Sequence, residues 1–348
     1  MATGSTRTIW WESADPDAAA VVIDQRCLPH WLVHARWETV HDAAAGIADM
    51  AVRGAPLIGV AAAYGMSLAA RRDPSMLALE RSGELLCATR PTAVNLKWAV
   101  RRCLDEAARH DESMRADALR TYAQFLADDD AEQCRRIGES GVGIIARLAE
   151  QLGRTVNVLT HCNAGRLACV EYGTATAPVY LAHRAGLDVH VWVSETRPRN
   201  QGAALTAWEL ADGGVPHTLV VDNAAGHLLM HGMVDLVIVG ADRVAANGDT
   251  ANKIGTSLKA YAAAQFGVPF YVALPWSTFD ASCPDGDAIP IEERSPDEVL
   301  EVNGGPVAPA GTVARNWGFD VTPSAFVTAF LTPDGVFAPN SMLGAAPR

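Results

Sequence analysis

Between residues 40 and 151 apolar side chains return at intervals of three and four, in a background rich in Ala, Leu, Glu and Arg. That period marks amphipathic helices. It predicts helices over residues 41–51, 56–70, 74–86, 93–110, 115–127 and 131–152, with Pro56 in a first turn, where its missing N–H costs nothing. Ahead of them, Ile9-Trp10-Trp11 and Ala20-Val21-Val22-Ile23 read as short strands. After Gly153 the pattern changes: unbroken apolar runs alternate with helical stretches over 164–185, 202–213, 224–230 and 253–266. Such alternation is that of βαβ units on a parallel sheet. Runs at 269–274 and 325–330 complete the predicted sheet, and the Pro-, Gly- and Asp-rich stretch 277–321 reads as a long irregular excursion. The expected fold class is α/β. A mainly helical N-terminal domain over 1–150, with a short β-rich start, precedes a domain over 151–348 with a mainly parallel sheet.

Four of the predicted strands end on polar residues. Val156-Asn157-Val158-Leu159 runs into Thr160-His161-Cys162-Asn163-Ala164-Gly165, and the run from Val189 to Val193 leads to Glu195-Thr196-Arg197. Thr218-Leu219-Val220-Val221 leads to Asp222-Asn223, and Leu236-Val237-Ile238-Val239 to Gly240-Ala241-Asp242. Open parallel sheets bind ligands outside the carboxyl ends of their strands, so a cysteine, a glutamate and two aspartates converge on one edge. The chain reads as an enzyme.

Asp242 follows a buried run, and partial desolvation raises a carboxylate's pKa towards that of a general acid. Its alternative is to cap the next turn. Cys162 precedes a predicted helix, whose N-terminus favours a thiolate; the alternative is a small buried apolar residue. His161 points away from Cys162 if both are extended. Asn252-Lys253-Ile254-Gly255-Thr256 opens another predicted helix, a setting suited to an oxyanion, though without P-loop spacing. Arg53 before Gly54, Arg90 before Pro91, and Gln201 before Gly202 add donors beside flexible backbone, and an arginine fork binds phosphate bidentately. Glu195 reads as scaffolding paired with Arg197 or Arg53, and Asp222-Asn223 as groups for sugar hydroxyls.

Composition narrows the classes. A formal net charge of −12 over 348 residues gives no electrostatic case for nucleic acid or anionic lipid. No secretory h-region opens the chain, and no apolar run is long enough to span a membrane. The seven cysteines (27, 87, 103, 134, 162, 169 and 283) form no C-x-x-C pair, which predicts reduced thiols in a cytoplasmic setting rather than a zinc or disulfide framework. No GxGxxG follows the first sheet strand and no cluster has metal-ligand spacing, so neither a dinucleotide cofactor nor a metal is expected.

Together these motifs resemble the 5-methylthioribose-1-phosphate isomerase family of methionine salvage. The resemblance rests on Arg53-Gly54-Ala55-Pro56 with Ala61-Ala62-Ala63-Tyr64-Gly65, on Arg90-Pro91-Thr92-Ala93-Val94-Asn95-Leu96, and on Thr160 to Gly165. Glu195-Thr196-Arg197-Pro198, the block from Val234 to Thr256, and Ile291-Glu292-Glu293-Arg294 continue it in order. It implies Cys162 and Asp242 as the catalytic pair, and Arg53, Gly54, Arg90, Gln201, Asn252 and Lys253 as substrate- and phosphate-binding residues. A Rossmann-like second domain, a homodimer and cofactor-free aldose–ketose isomerisation of a pentose 1-phosphate are implied with them. Related proteins of the superfamily are ribose-1,5-bisphosphate isomerase and regulatory subunits of a translation-initiation exchange factor. The latter generally lack the cysteine and aspartate, and a non-catalytic, ligand-sensing subunit is the competing class. Arg199-Asn200 and Arg166 depart from the family pattern by adding cations. They leave open whether the sugar's 5-position carries methylthio, hydrogen (a 5-deoxyribose) or a second phosphate.

Overall fold

In a computed structural model the described residues are 7–90, 93–302 and 304–346. Pro91 and Thr92 of the Arg90 motif therefore lie outside them. The chain divides into two compact units, residues 1–136 with 165–173 and residues 137–164 with 174–348.

The first unit opens with β1 (Ile9–Trp11), β2 (Ala20–Ile23) and β3 (His34–Trp37), an antiparallel sheet in that order. Five helices follow: α1 (Val40–Ala48), α2 (Ala55–Arg72), α3 (Met76–Thr89), α4 (Val94–Ala107) and α5 (Arg115–Leu152). Thr39 and Asp42 close a reciprocal capping box at the start of α1. The middle of α2 is buried on every side, and its small residues let α4 close on it: a Cβ on Gly59 would stand 3.0 Å from the Asn95 carbonyl. Two helices were expected between 115 and 152, but α5 is one. Asp128-Asp129-Asp130 carries no Gly or Pro, and an acidic run does not break a helix. Leu119, Ala123, Leu126, Ala127 and Ala131 of α5 join the first core, whereas Ile137, Ile144 and Ile145 join the second. The units thus part at residue 136, inside this helix, and not near 150.

The second unit continues with β4 (Val156–Thr160), α6 (Ala177–Arg184), β5 (Val189–Ser194), α7 (Ala207–Asp212), β6 (His217–Val220), α8 (Ala224–Met230) and β7 (Leu236–Val239). Next come β8 (Arg243–Ala245), β9 (Thr250–Lys253), α9 (Thr256–Gln265), β10 (Phe270–Ala273), β11 (Phe279–Asp280), β12 (Glu301–Val302), β13 (Gly305–Pro306), β14 (Phe319–Thr322), β15 (Ala329–Thr332) and β16 (Gly335–Phe337). The main sheet runs β16-β15-β10-β7-β4-β5-β6, parallel except for β16. β7, β4, β5 and β6 are neighbours in it, so the four polar strand ends do share one edge. The late strand lies at Ala329–Thr332 and not over 325–330, because Ser324–Phe326 forms a 3-10 turn behind Pro323. A second sheet, β11-β8-β9-β14, was not anticipated. It lies within and beside the stretch read as irregular, where its strands are too short to show a period.

Candidate active site

Cys162 follows β4 with 6 % of its surface exposed and a left-handed backbone at φ 63°. Its N–H donates to Thr196 Oγ1 at 2.8 Å, and its carbonyl accepts from Thr206 Oγ1 at 2.7 Å. The Sγ lies 3.7 Å from Gln201 Oε1. The helix expected to begin at 164 does not form there: a 3-10 turn covers Arg166–Ala168 and α6 begins at Ala177. Gly165 and Gly173 pair directly, so close that a Cβ on Gly173 would stand 2.3 Å from the Gly165 carbonyl carbon. Pro178, in the first turn of α6, was the sequence signal for the true start. Cys162 therefore has no helix N-terminus behind it, and Cys169 is not on a helix with it.

His161 is buried, and its Nε2 lies 2.8 Å from the Ile254 carbonyl, which only accepts, so Nε2 carries the hydrogen. Its Nδ1 faces Thr196 Oγ1 at 3.4 Å. Burial, then the charge of Lys259, pushes its pKa down to about 3. The ring is neutral at neutral pH, and its nitrogens face Ile254 and Thr196.

The turn after β5 is held by a carboxylate. Asp222 accepts from Ser194 Oγ at 2.5 Å, Thr196 N at 2.8 Å and Arg197 N at 2.7 Å. Burial raises its pKa, but these hydrogen bonds outweigh burial and hold it below the ordinary carboxylate value. Glu195 accepts the Asp222 N–H at 3.4 Å. Neither is deployed as expected: Asp222 braces the backbone around Thr196, and Glu195 pairs with no arginine among the described residues. Gly202 closes the turn. A Cβ there would stand 1.8 Å from the Ser194 carbonyl oxygen, so only glycine fits. A π-helical turn over Gly202–Thr206 precedes α7 and carries Gln201, 7 % exposed, at its start.

Asp242 lies just before β8, partly exposed, with its N–H on the Ala251 carbonyl at 2.9 Å. A Cβ on Gly240 would stand 2.5 Å from the Ala164 Cβ, so the end of β7 is drawn against the Cys162 loop. Antiparallel pairing of β8 with β9 places Asn252 beside this point. Asn252 Nδ2 donates to Thr256 Oγ1 at 3.0 Å, and Lys253 Nζ lies 4.5 Å over the Phe319 ring. Both residues end a strand rather than open a helix. Gly255, at φ 96°, turns the chain into α9, a signal that placed the helix start too early when read as part of it.

Arg53, Gly54 and Arg90 belong to the first unit. Arg53 is buried at the start of α2, and Gly54, at φ 98°, caps that helix; a Cβ on Gly54 would stand 2.5 Å from the Ala168 Cα. Arg90 caps α3, and its carbonyl accepts from Ala93 N at 3.0 Å. The same unit holds a trio absent from any sequence spacing: the ligand atoms of Asp130, Cys134 and Cys169 lie within 4.8 Å of one another. Asp130 accepts from Val170 N at 2.7 Å, and burial raises its pKa to about 7. Cys134 is raised well above the ordinary thiol value, first by a hydrogen bond with Cys169 and then by burial. All seven cysteines are free.

Residues 51–339 match the Initiation factor 2 subunit family. Methylthioribose-1-phosphate isomerase of Rhizobium meliloti (strain 1021) is 52 % identical over 346 residues, 96 % of this chain and 94 % of that protein. The crystal structure of 5-methylthioribose 1-phosphate isomerase from Pyrococcus horikoshii OT3 is similar with a TM-score of 0.86 at 39 % identity, covering 97 % of this chain and 94 % of that one. A structure described as translation initiation factor eIF-2B, subunit delta, from A. fulgidus gives 0.82 at 38 % identity, covering 97 % of both. The chain belongs to this family, and within it to the relatives named methylthioribose-1-phosphate isomerase.

Proposed function

We propose that the chain converts 5-methylthioribose 1-phosphate to 5-methylthioribulose 1-phosphate, an aldose–ketose isomerisation in methionine salvage, by acid–base chemistry at Cys162 and Asp242. The observation that carries the roles is the joining of the Cys162 loop to the end of β7 through Gly240 and Ala164. The two other carboxylates at this sheet edge, Asp222 and Glu195, are taken up by backbone N–H groups. Asp242 is then the acid.

The substrate's anomeric carbon is blocked by phosphate, so the ring cannot open to an aldehyde. The Cys162 thiolate takes the proton from C2 while the C1–C2 double bond forms. The C1–ring-oxygen bond breaks, and Asp242 protonates the departing oxygen. The enol phosphate then collapses: Asp242, now a carboxylate, takes the proton of the C2 hydroxyl, and the Cys162 thiol returns its proton to C1. Both groups end as they began, and no metal or redox cofactor enters. Two groups with opposite protonation states are what such a cycle needs. Arg53, Gly54, Arg90, Gln201, Asn252 and Lys253 are assigned to binding the substrate and its phosphate.

A methylthio or deoxy 5-position is favoured over a second phosphate by one observation. Arg199 Nη1 lies 2.7 Å from Glu298 Oε1, and Glu298 is itself held by Arg294 and Asn316. Burial opposes ionisation of Glu298, but those bonds bring its pKa down to about 2. The cation added at Arg199 is thus neutralised. We assign the chain to the cytoplasm as a homodimer; no helix among the described residues is long and apolar enough to cross a membrane. Leu219, 48 % exposed on the edge strand β6, and Val221, 60 % exposed beyond it, supply apolar surface for such an interface. The test compares kcat/KM for methylthioribose 1-phosphate, 5-deoxyribose 1-phosphate and ribose 1,5-bisphosphate. The proposal expects the first to lead and the third to be poorest. Activity confined to the bisphosphate, or none on any of the three, would overturn it.

A further inference from the structure

Residues 165–173 belong to the first unit, although the chain on either side of them belongs to the second. The pairing of Gly165 with Gly173 closes this excursion at its base. Its middle meets α5 at three side chains: Asp130 and Cys134 of the helix and Cys169 of the excursion. Their ligand atoms lie within 4.8 Å of one another, and all three residues are buried.

The trio is held from both sides. Asp130 and Cys134, at i and i+4 of one helix, stand a turn apart on the same face. Cys169 is fixed through backbone: its N–H donates to the Arg166 carbonyl at 3.0 Å, and its carbonyl accepts from Thr8 Oγ1. The next carbonyl, of Val170, accepts from Thr8 N at 3.0 Å, and the Val170 N–H donates to Asp130 Oδ2 at 2.7 Å. The carboxylate of the trio is thus oriented by the very segment that carries the second thiol, as metal-ligating carboxylates are by outer hydrogen bonds. Buried carboxylates are ordinarily paired or bound to a metal. On a tetrahedral zinc ion, with Zn–S of about 2.3 Å and Zn–O of about 2.1 Å, neighbouring ligand atoms stand about 3.6–3.8 Å apart. Donor atoms already within 4.8 Å reach that spacing by shifts of about 1 Å. Two sulfurs with one oxygen suit zinc, whereas magnesium and manganese favour oxygen alone.

We propose that Asp130, Cys134 and Cys169 form a zinc site that staples the excursion 165–173 to α5. Both thiols give up their protons on binding, and the fourth position is left to water. Occupancy fixes Ala168, whose Cα a Cβ on Gly54 would approach to 2.5 Å, and so steadies the backbone against which the start of α2 packs. The three ligands belong to the first unit, and Cys162 and Asp242 to the second. The ion therefore adds stability and enters no step of the proposed isomerisation.

The experiment loads the full chain with zinc, desalts it, and measures metal content beside thermal unfolding. The wild type should hold zinc stoichiometrically and unfold at a higher Tm than after chelation, because an ion bound only by the folded chain stabilises it. Cys134→Ser and Cys169→Ser should each weaken zinc binding by more than about 10²-fold, beyond the usual loss of an outer-shell partner, and abolish the gain in Tm. Cys162→Ser should keep both the zinc and the gain. A wild type that retains no zinc overturns the proposal, as does zinc that survives both of the first two substitutions or is lost with Cys162→Ser. Should the Cys134 and Cys169 variants fail to fold, zinc-edge X-ray absorption of the Cys162→Ser chain decides: two sulfurs at about 2.3 Å uphold the site, and fewer overturn it. No turnover is read, so the outcome is separate from that of the substrate comparison.

Discussion

Replacing Asp222 by asparagine tests how the site is held without touching its reacting groups. The carboxylate accepts three hydrogen bonds, Ser194 Oγ and Thr196 N on Oδ1 and Arg197 N on Oδ2. An amide keeps only one oxygen. Set at the Oδ1 position it still accepts from Ser194 and Thr196, but its NH2 then opposes the Arg197 N–H. At least one charge-assisted bond is lost, and such bonds are worth about 1.5–3 kcal/mol. The side chain is a quarter exposed, at 24 %, which places the expected loss of unfolding free energy near the lower end, about 2 kcal/mol. The turn that loosens carries Thr196, whose Oγ1 holds the Cys162 N–H. Small misplacements of a reacting group are costly, so kcat falls about tenfold or more while KM moves less. The assay pairs urea unfolding at pH 7 with steady-state kinetics. The pH arm follows from the sign of the shift. Because the folded pKa lies below the unfolded one, the contribution is complete above the unfolded value and is lost as pH falls through the folded value. The difference between wild type and Asp222→Asn must therefore shrink below about pH 4. An unchanged urea midpoint and kcat, or a stability gap that persists undiminished in acid, would refute this account.

Cys162→Ser should lower kcat by at least about 10²-fold while substrate still binds, as loss of a positioned acid–base group does; near-normal turnover would remove Cys162 from the mechanism. Asp242→Asn should do the same, and a rise in KM alone would make the aspartate a sugar-binding group. Truncating Arg53, Arg90 or Lys253 should weaken binding by roughly 1.5–3 kcal/mol, with inorganic phosphate competing against substrate in the wild type. His161 makes stability fall in acid: its folded pKa of about 3 lies below the unfolded value of 6.5, so the unfolded chain binds the extra proton between them. His161→Gln should flatten the stability–pH slope between those limits, as followed by urea midpoints. Activity should survive exhaustive chelation and gain nothing from added magnesium or manganese; loss with chelation and recovery with metal would overturn the acid–base assignment.

The period of the apolar residues foretold α1 to α4 and the parallel strands to within a few positions, because each of those elements buries a face. It failed where structure depends on contacts remote in sequence. Nothing in Ala164 to Thr176 breaks a helical pattern strongly, yet Gly165 and Gly173 pair and hold the segment out of helix. Pro178 was the available clue. The short strands β8 and β9 gave no periodic signal, so Asn252 and Lys253 were taken as helical although they end a strand. Lys259 was invisible for a plainer reason. One lysine on an Ala-rich helix reads as a solvated charge, and only its burial shows otherwise.

Backbone strain accounts for why these residues stay where they are. Among the described residues, five that are not glycine have left-handed φ, and Cys162, Thr196 and Asn200 are three of them. Such conformations cost on the order of 1–3 kcal/mol each and persist only where the surroundings over-determine them. Here the determinants interlock. Asp222 fixes the N–H of Thr196, the Thr196 hydroxyl fixes the N–H of Cys162, and the Cys162 carbonyl is fixed by Thr206. The Asn200 N–H returns to the Thr196 carbonyl at 2.8 Å. One chain of hydrogen bonds thus crosses from the end of β6 through the turn after β5 to the loop after β4, holding the strained residues in series. Removing the carboxylate or either hydroxyl from this chain releases the backbone group it holds. The position of Cys162 therefore depends on one carboxylate and two hydroxyl groups that act through its backbone.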